Sequence, residues 1–338
     1  MTNGNGTAQA LTNSNTIAAS IAALLTLSAQ QAQSGEITEE TAARWISQLD
    51  AKPKTVQTYS RAIKPFLRWL QAQGITQPVK EDVQRFRDEI RQGHKATTAQ
   101  AYLTAVKMLF SWTEDAGLYP NVAAKVKGVK VDSHSYKKDY LTAEQASDLL
   151  RSIDRRTTRG KRNYAMIALM ITTGLRDVEV QRANLEDVRQ AGGCNVLYIQ
   201  GKGRDDKTEY VKLTGAVFRA LLAYQNARRK EGGELRPDAP LFASMAHQCK
   251  GGRLTTTAIS GTVKAALREI GLDSDRLTAH SLRHTAATLN LLAGATAEET
   301  QQLLRHANIN TTMIYSHALE RANNNSEDRI AGSIAALS

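Results

Sequence analysis

The chain has 338 residues, a formal net charge of +11 and 41% hydrophobic residues, enough for about two domains of ~150 residues, each with a real core. The charge points to a polyanionic partner, nucleic acid ahead of a membrane surface, and no apolar run approaches the ~18 residues of a membrane span. No Lys or Arg precedes the early apolar run IAALLTLS, which argues against a secretory signal. Cys194 and Cys249 lack metal-site spacing and fit a cytoplasmic protein with reduced thiols.

Residues 1–35 read as a flexible segment. Asn, Thr and Gly dominate its start. Ile17, Ile21, Leu24 and Leu25 give its second half a helical spacing, suited to packing on its own domain or on a neighbouring protomer. Residues 36–128 read as a small all-helical domain. Three apolar stripes carry it: Val56, Tyr59, Ile63, Phe66, Leu67 and Leu70 over 54–73; Val83, Phe86 and Ile90 over 80–92; Tyr102, Val106, Leu109 and Trp112 over 97–116. Thr55 is placed to cap the first helix and Gly74 to end it, and Pro65 inside it predicts a kink or break. The large aromatics read as core. The opposite faces carry Arg61, Arg68, Arg85, Arg91, Lys95 and Lys107, a solvated charged face or a face for the DNA backbone.

A charged, aperiodic stretch follows, with a basic linker over 129–139. Residues 140–338 read as an α+β domain with a C-terminal tail. Thr142 and Gln145 have capping-box spacing, and helices are predicted over 143–153 and 162–173. Gly174 is a natural helix stop and sets Arg176 at a tight turn before a helix over 178–183. Arg176 is either a structural partner of Glu179 or a functional residue. The runs 195–200 and 209–213, with a Gly-rich turn between them, read as a β-hairpin with Lys202 at a strand end and Lys207 as its rival. The GKG there is no phosphate loop, because the full motif and its following helix are missing. Further helices are predicted over 216–229, 256–270, 281–293 and 298–304, then one containing Tyr315. Ile330, Ile334 and Leu337 form an amphipathic tail.

The informative residues lie late in the chain. His280 and Arg283 are three apart and share a helix face. Arg305-His306 follows, then a tyrosine, Tyr315. An arginine fork fits two phosphate oxygens, a histidine moves protons near neutral pH, and a deprotonated tyrosine is a nucleophile. This combination suits attack on a phosphodiester. A zinc site built on His280 and His284 lacks the glutamate or cysteine support such sites use; His284 and His317 read as structural or surface residues.

In the order Arg176, Lys202, His280-x-x-Arg283, His306 and Tyr315, the chain resembles the tyrosine recombinases, also called the phage integrase family. One departure is visible: the family pattern has glycine before the second histidine, where this chain has Arg305, which alters the local backbone or adds a phosphate contact. The resemblance implies a mainly α protein: a helical, SAM-like core-binding domain, then an α+β catalytic domain with a small antiparallel hairpin sheet. It implies site-specific cleavage and rejoining of double-stranded DNA through a covalent 3′-phosphotyrosine, by a homotetramer on recombination sites, with no cofactor, metal or membrane. Arg176 and Arg283 are then expected to clamp the phosphate and His306 to donate to it. Tyr315 is the expected nucleophile, His280 its base, and Lys202 the acid for the leaving oxygen. The rivals are a type IB topoisomerase, which relaxes DNA alone, and a non-catalytic DNA-binding relative.

Overall fold

The computed structural model describes residues 35–131, 139–201, 204, 206–232, 235–322 and 326–334. The expectations for residues 1–34, for most of the linker, for Lys202 and for the last residues of the tail therefore lie outside the described residues. Contacts divide the chain into two compact units, 1–133 and 134–338.

The first unit is four helices. α1 (Glu39–Ser47) starts where the Thr38 hydroxyl accepts from the Thr41 N–H. α2 spans Pro53–Gln73 and stops at Gly74, which has a φ of 65°. Pro53 lies at the helix start, where its missing N–H costs nothing; Thr55, the expected cap, is already inside the first turn. The helix runs through Pro65 without the expected break. One hydrogen bond to the preceding turn is lost, while Ile63, Phe66 and Leu70 on either side stay buried and hold the stripe in the core. α3 (Lys80–Gly93) begins with the Asp82 carboxylate accepting from the Val79 N–H at 2.8 Å, and α4 (Ala96–Asp115) completes the unit. Phe66 sits at the centre, with ring centroids 5.0 Å from Phe86 and 6.0 Å from Phe110 in edge-on geometry, the arrangement favoured by ring quadrupoles. Trp45, Trp69, Trp112, Tyr59 and Tyr102 all pack on this core, as expected of them.

The second unit is built around α6 (Thr158–Thr173), which is buried along most of its length. α5 (Ala143–Ser152) precedes it, and the capping box forms as expected: Thr142 and Gln145 exchange bonds of 3.1 and 3.0 Å. α7 (Asp177–Arg182) leads into a three-stranded antiparallel sheet in the order β1 (Val188–Ala191), β2 (Cys194–Ile199) and β3 (Glu209–Lys212). The register pairs Val188 with Leu197 and Leu197 with Val211. The expected hairpin is β2–β3. β1 is an additional strand, joined to β2 through Gly192 and Gly193, whose φ values of 56° and 74° suit the tight turn of a two-residue hairpin.

Then come α8 (Gly215–Gly232), α9 (Thr256–Glu269), α10 (Ala279–Leu292), α11 (Ala297–Leu304), α12 (Asn310–Ala322) and α13 (Ser326–Ser333). α6 packs between α8 and α10, and α10 touches α11 and α12. These contacts bring the late motifs onto the end of α6. No helix among the described residues is long and apolar enough to cross a membrane.

A buried hydroxyl ties α10 to the start of this unit. Thr285 Oγ1 accepts from the Leu141 N–H and donates to the Ser281 carbonyl, each at 2.9 Å. Thr285→Val keeps the shape but orphans the buried Leu141 N–H, so denaturant unfolding should show a loss of about 1–3 kcal/mol.

Candidate active site

Gly174 begins the site. It ends α6 with a φ of 61°, a conformation that glycine adopts without the Cβ penalty. A Cβ there would lie 2.5 Å from Leu304 Cδ2, so its absence also lets the end of α11 approach the end of α6. Arg283 on α10 spans the gap. Its guanidinium donates to the Gly174 and Leu304 carbonyls, the ends of two helices where cations are favoured. Only 2% of Arg283 is exposed. Burial, followed by the nearby charges of Arg176 and Arg305, pushes its pKa down to about 9; it stays cationic at neutral pH.

Arg176 occupies the position just before α7. The buried Glu179 carboxylate accepts from the Arg176 N–H at 2.8 Å and from its guanidinium at 2.9 Å. It also accepts from Arg305 at 3.0 Å. Arg305 closes α11 with a φ of 55°, the one positive φ outside glycine among the described residues. A β-carbon there costs about 1 kcal/mol or more relative to glycine.

His306 follows at once. Its Nδ1 lies 2.8 Å from the Thr312 hydroxyl at the start of α12. Burial first, then Arg283, Arg176 and Arg305, push its pKa down from 6.5 to about 4, so the ring is neutral at physiological pH. Tyr315, one turn along α12, is 5% exposed. Its ring lies nearly parallel to that of His306, with centroids 6.5 Å apart. Burial raises the phenol pKa, while Arg283 and Arg176 pull it down. The His284 ring lies 5.3 Å from that of Tyr315 and 4.7 Å from that of His280, centroid to centroid. His280 itself is exposed.

Four of the six residues expected from the sequence, Arg176, Arg283, His306 and Tyr315, thus converge on the end of α6. His280 packs against His284 and is exposed, and Lys202 lies outside the described residues. Its rival Lys207 is held by Asp187 at 2.5 Å. Among the described residues no cluster of three or more His, Cys, Asp or Glu side chains could hold a metal ion. Thr312, and Arg305 as a second partner of Glu179, escaped the sequence reading: nothing in their spacing announces a bond made through a turn. His284, read as structural, packs against the rings of both His280 and Tyr315.

Residues 139–321 match the phage integrase family, and residues 42–117 match the phage integrase N-terminal SAM-like domain. The chain belongs to the phage integrase family. Tyrosine recombinase XerD of Bifidobacterium longum is 31% identical over 277 residues, covering 78% of this chain and 86% of that relative. Tyrosine recombinase XerC of Caldanaerobacter subterraneus subsp. tengcongensis is 36% identical over 179 residues, which are 53% of this chain and 47% of that relative; the match spans about half of its length. The XerH site-specific recombinase bound to difH substrate, in a pre-cleavage complex, superposes with a TM-score of 0.63 at 25% identity, covering 79% of this chain and 78% of that one. A lambda integrase tetramer bound to a Holliday junction shares the fold, with a TM-score of 0.62 at 15% identity over 86% of this chain and 80% of that one. The integrase fold expected from the sequence is thus the fold observed.

The state of His306 is measurable. With a folded pKa near 4 against the ordinary 6.5, the unfolded chain takes up this proton first as pH falls. The stability tied to the neutral ring is therefore complete above about pH 6.5 and is lost between there and pH 4. Nitrogen NMR should find His306 neutral at pH 6. A hydroxyl donating to Nδ1 keeps the ring proton on Nε2, so Thr312→Val should shift the spectrum toward a mixture of tautomers. An unchanged single tautomer in that variant would remove Thr312 from this role.

Proposed function

We propose that Arg176, Lys202, His280, Arg283, His306 and Tyr315 carry out strand cleavage and rejoining. Site-specific recombination of DNA is the reaction of this tyrosine recombinase. The observation that supports them is the convergence of two arginines and a neutral histidine on one buried tyrosine. A phosphodiester under attack gathers negative charge on its non-bridging oxygens, and donors fixed in advance at that charge are usually the largest catalytic contribution. Arg283 keeps part of its fork free after serving two carbonyls, and Arg176 is held by Glu179 on one side only. Both can clamp the phosphate, with His306 donating from Nε2.

Tyr315 then attacks phosphorus in line and His280 takes its proton. Binding of the phosphate between the arginines excludes water and leaves the developing phenolate beside two cations. The P–O bond to the leaving 5′-oxygen breaks as the bond to tyrosine forms, and Lys202 supplies the proton for that oxygen. A covalent 3′-phosphotyrosine and a free 5′-hydroxyl result. The bond energy is retained in the ester, so a 5′-hydroxyl of another strand can reverse the step without ATP.

The wider reading includes double-stranded DNA with specific sites, a homotetramer acting on two duplexes, and a cytoplasmic location. It divides the chain into a flexible segment 1–35, a core-binding domain 36–128, a linker 129–139 and a catalytic domain 140–338. Topoisomerase-like relaxation is the competing reading for the same chemistry.

A nicked duplex library traps the covalent intermediate, because the short 5′ fragment diffuses away after cleavage. Wild-type protein, without metal or ATP, should give a protein–DNA band on a denaturing gel, and sequencing the trapped DNA should define one site. Tyr315→Phe should abolish the band by at least about a thousandfold while still binding DNA. Cleavage by that variant would remove Tyr315 as nucleophile. Relaxation of plasmids without joining of two sites would favour the topoisomerase reading.

A further inference from the structure

We infer that Arg305 is a positioning residue for strand cleavage: it holds Glu179 in place against Arg176 and adds a positive charge behind the phosphate clamp. The inference rests on the recombinase reading of this site. Three costs meet at residue 305. Its backbone is left-handed without being glycine. Its side chain is only 11% exposed, so a guanidinium is largely withdrawn from water. Its Nε–H is buried with no hydrogen-bond partner among the described residues. Glycine would end α11 without any of these costs.

What the arginine supplies is seen in its contacts. One end donates to the Leu303 carbonyl at 2.8 Å, securing the side chain against its own helix end. The other meets Glu179 Oε2 at 3.0 Å, the same oxygen that accepts from the Arg176 main chain at 2.8 Å. Glu179 Oε1 meets the Arg176 guanidinium at 2.9 Å. Arg305 thus acts through Glu179 and not on the substrate. Both Glu179 oxygens already meet Arg176, and Arg305 adds a second donor on Oε2 from another helix end, so the carboxylate is tied to α11 as well as to its own turn.

The charge count changes as well. Glu179 alone would offset one of the two clamp arginines and leave +1. With Arg305 the group holds three guanidinium ions against one carboxylate, 3 − 1 = +2. A phosphodiester carries one negative charge, and a second develops as the nucleophile adds. The extra cation therefore favours the transition state over the bound substrate. The charges behave as one unit: Arg305 contributes to lowering the pKa of both Arg283 and His306.

Arg305→Gly tests this, since glycine relieves the backbone and keeps the helix end. Wild type, Arg305→Gly and Arg305→Lys are compared on the trapped nicked duplex. Arg305→Gly should melt no lower than wild type and bind DNA within about threefold, while its cleavage rate falls by about ten- to a hundredfold. Arg305→Lys, which keeps the charge, should recover part of that loss. The His306 pKa measured by NMR should rise in Arg305→Gly and less in Arg305→Lys. Arg305→Gly cleaving within about twofold of wild type, or slow cleavage in both variants with the His306 pKa unmoved, would overturn the inference. Wild-type protein that forms no covalent band would instead overturn the recombinase reading on which it stands.

Discussion

Two helix ends can share one arginine only if their main chains come close. The end of α6 and the end of α11 do so because residue 174 has no side chain: Leu304 fills the space a β-carbon would take. Arg283 then donates to both terminal carbonyls and is withdrawn from water. The rest of the site follows from this joint. It sets Arg176 two residues beyond Gly174, just before α7, and it sets His306 two residues beyond Leu304. A buried guanidinium with fewer partners would be costly; here the carbonyl dipoles at two C-termini offset that cost and fix its orientation.

The site is electrostatically poised against itself. Burial first, and then the crowded cations, hold His306 neutral and depress the pKa of Arg283, while burial keeps Tyr315 protonated. A phosphate among the arginines would relieve their mutual repulsion and let His306 keep its donating proton. Dry surroundings strengthen all of these interactions, as a low-dielectric pocket does. Stability and activity therefore pull in opposite directions at this place, the ordinary condition of a preorganised site.

Periodicity carried most of the helices, because a buried stripe repeats every turn whatever the protein does. It was silent on β1, whose four residues include a polar pair, although Gly192 and Gly193 between β1 and β2 mark a two-residue turn. It overstated Pro65: the local rule is correct about the lost hydrogen bond, but the aromatic core of the first unit outweighs one bond. The convergence of Arg176, Arg283, His306 and Tyr315 was legible because few side chains suit attack on a phosphodiester. Thr312 and the second role of Arg305 were not, since both depend on α11 ending in a left-handed residue and turning the chain back toward α12. Spacing in the sequence does not encode that turn when arginine stands in the place of glycine.

Of the alternatives posed for Arg176, the partnership with Glu179 is observed, and it leaves room for the functional one. Glu179 has no side-chain exposure, whereas 26% of the Arg176 side chain is exposed. A carboxylate so placed cannot reach solvent or substrate, so its service is to orient what can. Arg176 is anchored at its inner edge and open at its outer one. Exposure rises outward in the same way from Arg283 and Glu179 through Arg305 to Arg176 and the exposed His280. The salt bridge is therefore the inner layer of this cluster: charge is fixed where water is absent and presented where the surface opens.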